Sequence, residues 1–423
     1  MRVTPQLAVV TLLAMCLYVP VVAETELEVS GQVRARTEAD KKDFDPDATS
    51  KSFTDLRTRA KLEALVDENT EVVVQLQDSR RLGGQDASGD DNSGTLNNAS
   101  NVDVHQAYLH IRELWENGFG LKAGRFEVAY GGQRLFGSVG WSNVGRSWEG
   151  MKLTLKRPNY SEELFWLKRR ELNSSFGNTD FDILGIHSDF KTIGLQLLVF
   201  YEYDGKEIVH SSGLDNTLDR INFSAYFKRE FERLTLEANG VYQTGKQVSR
   251  SFMPPLRQDI NAFLITVEGR LVVDPDQKAW VGAGVDFASG DSDPSDDDFK
   301  SYNNLYYTGH KFRGHMDYFI PSRAEGLIDI FVRGSITPVE GWTLSADVHH
   351  FMSHQDYMGT GGNLDSDVGV EIDLYAKTTK IKGAVAQIGV SAFEPATHFA
   401  GSDADTGLWG YLMFTANFGA KVK

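Results

Sequence analysis

Along most of this chain apolar and polar residues take turns. Leu27, Val29, Gly31, Val33 and Ala35 alternate with Glu28, Ser30, Gln32, Arg34 and Arg36. A repeat of two places one set on each face of a β-strand, because successive side chains point to opposite sides. The pattern recurs. Leu56, Ala60, Leu62 and Ala64 oppose Arg57, Arg59, Lys61 and Glu63, and Val72, Val74 and Leu76 oppose Glu71, Gln75 and Gln77. Met151, Leu153 and Leu155 oppose Lys152, Thr154 and Lys156, and Phe165 and Leu167 oppose Trp166, Lys168 and Arg170. Ile193, Leu195, Leu197, Val199 and Tyr201 form one long apolar stripe. The chain closes on Leu412, Phe414, Ala416, Phe418, Ala420 and Val422 in the same rhythm.

The connections alternate in length. Short ones fall at 67–69, 115–118, 158–161, 189–192, 229–233, 274–277, 338–341 and 378–382. Long ones fall at 39–53, 82–101, 129–147, 172–180, 205–216, 246–258, 289–324, 354–365 and 395–406. These connections imply about eighteen antiparallel strands. Short turns on one side and long loops on the other are the signature of an all-β transmembrane β-barrel, apolar toward lipid and polar toward a wet lumen, with the short turns periplasmic. A sandwich has no reason for this asymmetry. In the fifth strand Leu121 and Ala123 share a face and then Phe126 and Val128 share one, so a bulge at Gly124 is expected, turning Arg125 inward.

Residues 1–23 read as a secretory signal, with Arg2 followed by an apolar run and Val21-Val22-Ala23 as a small-residue cleavage site, leaving 24–423 as the barrel. The formal net charge of −16 becomes −17 once Arg2 is removed, which excludes a nucleic-acid partner. Cys16 lies within the signal, so disulfides and thiolate chemistry are excluded from the mature chain. The address this implies is the outer membrane of a Gram-negative bacterium. The partners are its lipids and lipopolysaccharide and the barrel assembly machinery.

The chemistry-bearing stretch runs from Gly124 to Leu153. It is glycine-rich, carries Arg125, Arg134 and Arg146, and is too polar for a core. It reads as a loop that folds near or into the lumen. Together with the long loop 289–324 it is expected to narrow the pore. The alternation adds Arg34, Arg36, Arg57, Arg59, Lys61 and Lys152 as lumen cations, part of a set of about eleven basic residues, against clearly fewer acids, on the inner face of the first seven strands. Each could instead be an ordinary salt-bridge partner. The later strands place Glu202, Glu237, Glu268, Asp347, Glu371 and Asp373 toward the lumen, so a porin of other selectivity is the alternative. No hydrolase, zinc-protease, phosphate-loop or dinucleotide motif is present, and neither an enzyme activity, a cofactor nor a dedicated metal site is expected. His349 and His350 are adjacent and face opposite ways, and the acidic run 291–298 lacks EF-hand spacing.

Several segments are similar to one family. They are Gly124-Arg125-Phe126-Glu127, the run from Tyr130 to Leu135, and Gly137 to Asn143 followed by Gly145-Arg146-Ser147 and Glu149-Gly150. Val73 to Arg80 and Asp103 to Leu109 match as well. Together they resemble the alginate export family of outer-membrane porins, most specifically over residues 27–157. The resemblance implies a monomeric eighteen-stranded barrel with a cationic pore. It implies a channel for anionic polysaccharide or sugar acids, with Arg125, Arg134 and Arg146 as candidate pore residues.

Overall fold

A computed structural model describes residues 26–83, 102–115, 117–171, 180–205, 217–249 and 255–422, together with 173–174 and 177–178. Eighteen strands form the wall. The first six are β1 (Glu26–Lys41), β2 (Lys51–Leu65), β3 (Thr70–Arg81), β4 (Val102–Ile111), β5 (Phe119–Phe126) and β6 (Trp148–Lys156). Next come β7 (Tyr160–Arg170), β8 (Phe181–Phe190), β9 (Leu195–Asp204), β10 (Leu218–Phe231), β11 (Leu234–Ser249) and β12 (Leu256–Asp274). The last six are β13 (Ala279–Ala288), β14 (Leu327–Val339), β15 (Trp342–Met358), β16 (Leu364–Thr378), β17 (Val385–Pro395) and β18 (Gly407–Val422). Each strand pairs antiparallel with the next, and β18 returns to β1 from Leu27↔Val422 to Lys41↔Leu408, which closes the barrel. Closure leaves no unpaired edge, as a membrane-spanning sheet requires. A two-residue strand, Asp298–Phe299, lies beside Asp259 and Ile260 of β12. Among the described residues no helix is long and apolar enough to cross a membrane; the strands cross it.

The outer face is apolar. Val29, Leu62, Val74, Leu109, Leu153, Leu184, Leu197, Phe223, Ile265, Val332 and Ile372 all lie exposed on it. Phe263 and Phe287 stack with ring centroids 5.7 Å apart near its extracellular margin, where aromatic rings suit the lipid–water boundary. Glu202, Asn222, Gln243, Glu371 and Asp373 face inward and are fully buried.

Two expectations need correction. In β7 the outward residues are Leu164 and Trp166, whereas Phe165 and Leu167 are buried inside. They pack against a loop in the lumen, which supplies apolar surroundings on the inner face. In β5 no register shift occurs at Gly124: the pairs Tyr108↔Gly124 and Ala107↔Arg125 run on without interruption. Arg125 therefore shares the row of Ala107 and outward Leu109, at the extracellular rim. Gly124 absorbs the local distortion with φ +128, where a Cβ would meet the Ala107 carbonyl oxygen at 2.3 Å.

Candidate functional site: a lumen narrowed by two loops

Loops 127–147 and 289–326 both turn into the barrel. Aromatic residues on the inner wall account for this. Phe126, Trp148, Phe165 and Phe200 pack with Tyr130, Leu135 and Phe136 of the first loop and Tyr302 and Tyr306 of the second. On the other side Met316 and Phe319 pack with Phe351, Phe393, Trp409 and Tyr411. Burying such rings supplies the stabilisation that fixes the loops. The loops also grip each other. Tyr306 N donates to Leu135 O at 3.1 Å, Gly137 N donates to Tyr306 O at 2.9 Å, and Thr308 N donates to Gln133 O at 3.1 Å. Trp141 and His310 stack face to face, 3.9 Å apart and 9° from parallel.

The wall holds the first loop by its backbone. Arg34 donates to the carbonyls of Gly140 at 2.9 Å and Ser142 at 3.0 Å. Arg57 donates to the same two at 3.0 and 2.9 Å. Arg36 reaches Trp141 O at 2.6 Å and Ser79 reaches Asn143 O at 2.7 Å. Four consecutive carbonyls thus face β1, β2 and β3. Arg36 also pairs with Glu38 at 2.7 Å, and Arg59 lies 3.4 Å from Glu127. Carboxylates hold the second loop in the complementary way: Glu371 accepts from Met316 N at 2.8 Å and Asp373 from His315 N at 3.3 Å. Gly314, at φ +81, sits directly on Glu371, where a Cβ would lie 2.4 Å from Oε1.

The remaining expected cations are placed as follows. Arg134 is buried against Asp286 through two hydrogen bonds. Arg146 donates to the carbonyls of Tyr306 and Tyr307. Lys152 lies 3.1 Å from Glu163 and 4.6 Å from the Tyr130 ring centroid. Lys61 pairs with Glu63 at 2.6 Å, nearer the periplasmic end. Arg125 pairs with Glu149 at 2.9 Å and Asp103 at 3.5 Å. The structure therefore brings Arg34, Arg36, Arg57 and Arg59 together on one wall, with Arg134 and Arg146 on the loop facing it, and leaves Arg125 at the rim. His349 is buried against Asp329 at 2.9 Å while His350 is exposed.

Two cavities open above the meeting of the loops. One, of about 610 Å³, is lined by Arg36, Glu38, Asp55, Arg81, Trp141 and Asp317 among others, with its charges nearly balanced. The other, of about 570 Å³, is lined by Arg125, Arg146, Lys168, Arg169 and Arg220 with Glu149 as its acid. Arg146, Asn303 and Leu305 line both.

The family model for alginate export matches residues 25–403. The chain belongs to the alginate export family. It forms an outer-membrane channel, and its family and fold are those of channel proteins rather than enzymes. Among solved structures it is similar to Acinetobacter baumannii OccAB4, at 12% identity over 94% of this chain and 98% of that chain, with a TM-score of 0.57. It is also similar to Pseudomonas aeruginosa OccK3, at 11% identity over 94% and 97% with a TM-score of 0.59. For Pseudomonas aeruginosa OccD3 the values are 11%, 94%, 92% and 0.58. At these identities the likeness is one of fold. No curated protein matches the chain in sequence.

Arg169 is a lumen cation that alternation did not point to. Its guanidinium lies 4.8 Å from the Phe181 ring centroid and 5.5 Å from that of Tyr306. Lys168, Arg169 and Arg170 are consecutive, so alternation alone cannot say which faces inward. The signal available was Phe165 and Leu167, once they are known to pack on a loop rather than on lipid. Arg220 precedes the outward residues Ile221 and Phe223 and so points inward, where it pairs with Glu202 at 2.8 Å.

Proposed function

We propose that this channel passes anionic polysaccharide or sugar acids, alginate-like in charge, through a lumen whose extracellular vestibule collects carboxylates. The observation that carries this reading is the second cavity, where Arg146 and Arg169 have no carboxylate partner among the described residues, while Arg125, Lys168 and Arg220 on the same wall are paired with Glu149, Asp180 and Glu202. Arg169 is exposed there and makes no ion pair among the described residues. Arg146 beside it is bonded to carbonyls alone, so its full charge acts on the cavity. Clustered guanidinium groups raise the local concentration of anions and lower their entry barrier, and they grip a uronate carboxylate with parallel hydrogen bonds. No bond is made or broken in this task, so positioning and field suffice.

The test is reversal potential in planar bilayers under a salt gradient. Anion preference should decline as the Debye length shrinks from roughly 10 Å at 0.1 M salt to 3 Å at 1 M. Replacing Arg146 and Arg169 together by Gln should move the reversal potential toward neutrality and weaken block by acidic oligosaccharides. Cation selectivity of the native channel would replace this reading by a porin governed by the lumen carboxylates.

A further inference from the structure

Arg34 and Arg57 are direct cross-strand neighbours on β1 and β2. Like charges so placed repel each other. Each is 4% exposed, and neither has a carboxylate partner among the described residues. Both donate only to neutral acceptors: the carbonyls of Gly140 and Ser142, with Gln32 Oε1 at 2.7 Å from Arg57 and Asn143 Oδ1 at 3.5 Å from Arg34. The Nε of each is buried with no acceptor. Arg36, two residues along β1, is by contrast compensated by Glu38 and Asp55. Two uncompensated cations holding a loop by its backbone form a site whose best acceptor is not in the chain.

We propose that Arg34 and Arg57 are a latch on loop 127–147 that carboxylates release. A carboxylate entering between them would screen their repulsion and satisfy the orphaned Nε donors. It would also replace neutral acceptors by a charged one, which bonds guanidinium more strongly. It therefore binds the unlatched state better than the latched one, which is the condition for a ligand to shift a conformational equilibrium. The path is short: Trp141, Ser142 and Asn143 separate these guanidiniums from the 610 Å³ cavity. Displacing carbonyls 140–142 swings that segment off the wall and widens the passage when an acidic sugar is present to use it.

This inference rests on the anionic-substrate reading, and one experiment separates the two. Spin labels are placed at Val144→Cys on the loop and Lys51→Cys at the exposed end of β2, in a chain lacking Cys16. Binding of tri-galacturonate is measured by calorimetry, and the label-to-label distance by pulsed electron resonance in the same sample. A second, longer distance should grow in with tri-galacturonate and be absent with maltotriose. In Arg57→Met, which removes the Nη1 that donates to both carbonyls, the longer distance should be populated without sugar. Binding with no change in distance overturns the latch and leaves the anionic channel standing. No binding of the trisaccharide removes both.

Discussion

Arg134 and Asp286 meet inside the barrel although 152 positions separate them, with Arg134 Nη2 at 2.8 Å from Asp286 Oδ1 and Nη1 on the second oxygen. The same guanidinium lies 3.6 Å from the Phe312 ring centroid. One side chain thus ties loop 127–147 to β13 and to loop 289–326. Removing one partner of a buried ion pair leaves the other uncompensated, at a cost of about 3–5 kcal/mol. Arg134→Gln or Asp286→Asn should each lower the denaturant midpoint of the folded barrel and raise open-channel noise. The double variant should recover part of the loss. Equal stability of the single variants and the parent would show that the pair is not coupled to the loops.

The outward row makes a second prediction. Leu197 is exposed on the apolar face. Arginine there should cost roughly 2–4 kcal/mol near the bilayer midplane. Ser30 lies on the inner row, opposite Lys61. Ser30→Glu should be nearly neutral, since a charge there is wet and has a partner. Refolding into lipid vesicles, followed by heat-dependent gel migration, reads both.

Loop 289–326 carries buried Tyr302, Tyr306, Tyr307, Phe312, Met316 and Phe319. Long as it is, it should resist protease added to intact cells. Segment 43–50, largely exposed between β1 and β2, should be cut instead. The short turns, on the periplasmic side, should be spared. Early cleavage within 302–319 would mean that the loop is not seated in the lumen.

His315, on the same loop, gives a pH prediction. Burial pushes its imidazole down to about 4, with His310 and His349 adding to the effect and Asp373 opposing it. The unfolded chain titrates this group near ~6.5, so between these values it binds more protons than the folded chain. Its contribution is therefore present above pH ~6.5, is lost as pH falls toward 4, and does not change further below that. The loss amounts to about 3 kcal/mol, to order of magnitude. Carboxylates titrate in the same window, so the readout is the difference between the parent and His315→Phe. As pH falls from ~6.5 toward 4 the parent should lose melting temperature relative to His315→Phe, whereas a difference that stays constant with pH would show that only packing is at stake.

Much of this protein was legible along the chain because a lipid bilayer imposes a local rule. Every outward residue in the spanning part of a strand must be apolar, and that demand falls on residues two apart, where it shows in the sequence. Leu27 to Ala35, Leu197 and Phe414 needed nothing else to be placed. The short-and-long rhythm of connections gave the eighteen strands for the same reason, since chain direction and loop length are local. The presence of cations on the inner row of β1 and β2 was legible too.

The tertiary structure alone decided what those cations hold. Phe165 and Leu167 look like lipid-facing residues by periodicity and become inner ones only because a loop lies against them. Arg34 and Arg57 have as partners the backbone carbonyls of Gly140 and Ser142, groups that every sequence possesses, so no residue type marks the pairing. Arg134 finds Asp286, and Tyr306 finds Leu135 and Gly137, more than 150 positions away along the chain. Periodicity reports which side of a strand is which; it carries no record of how a loop returns through the space that the strands enclose.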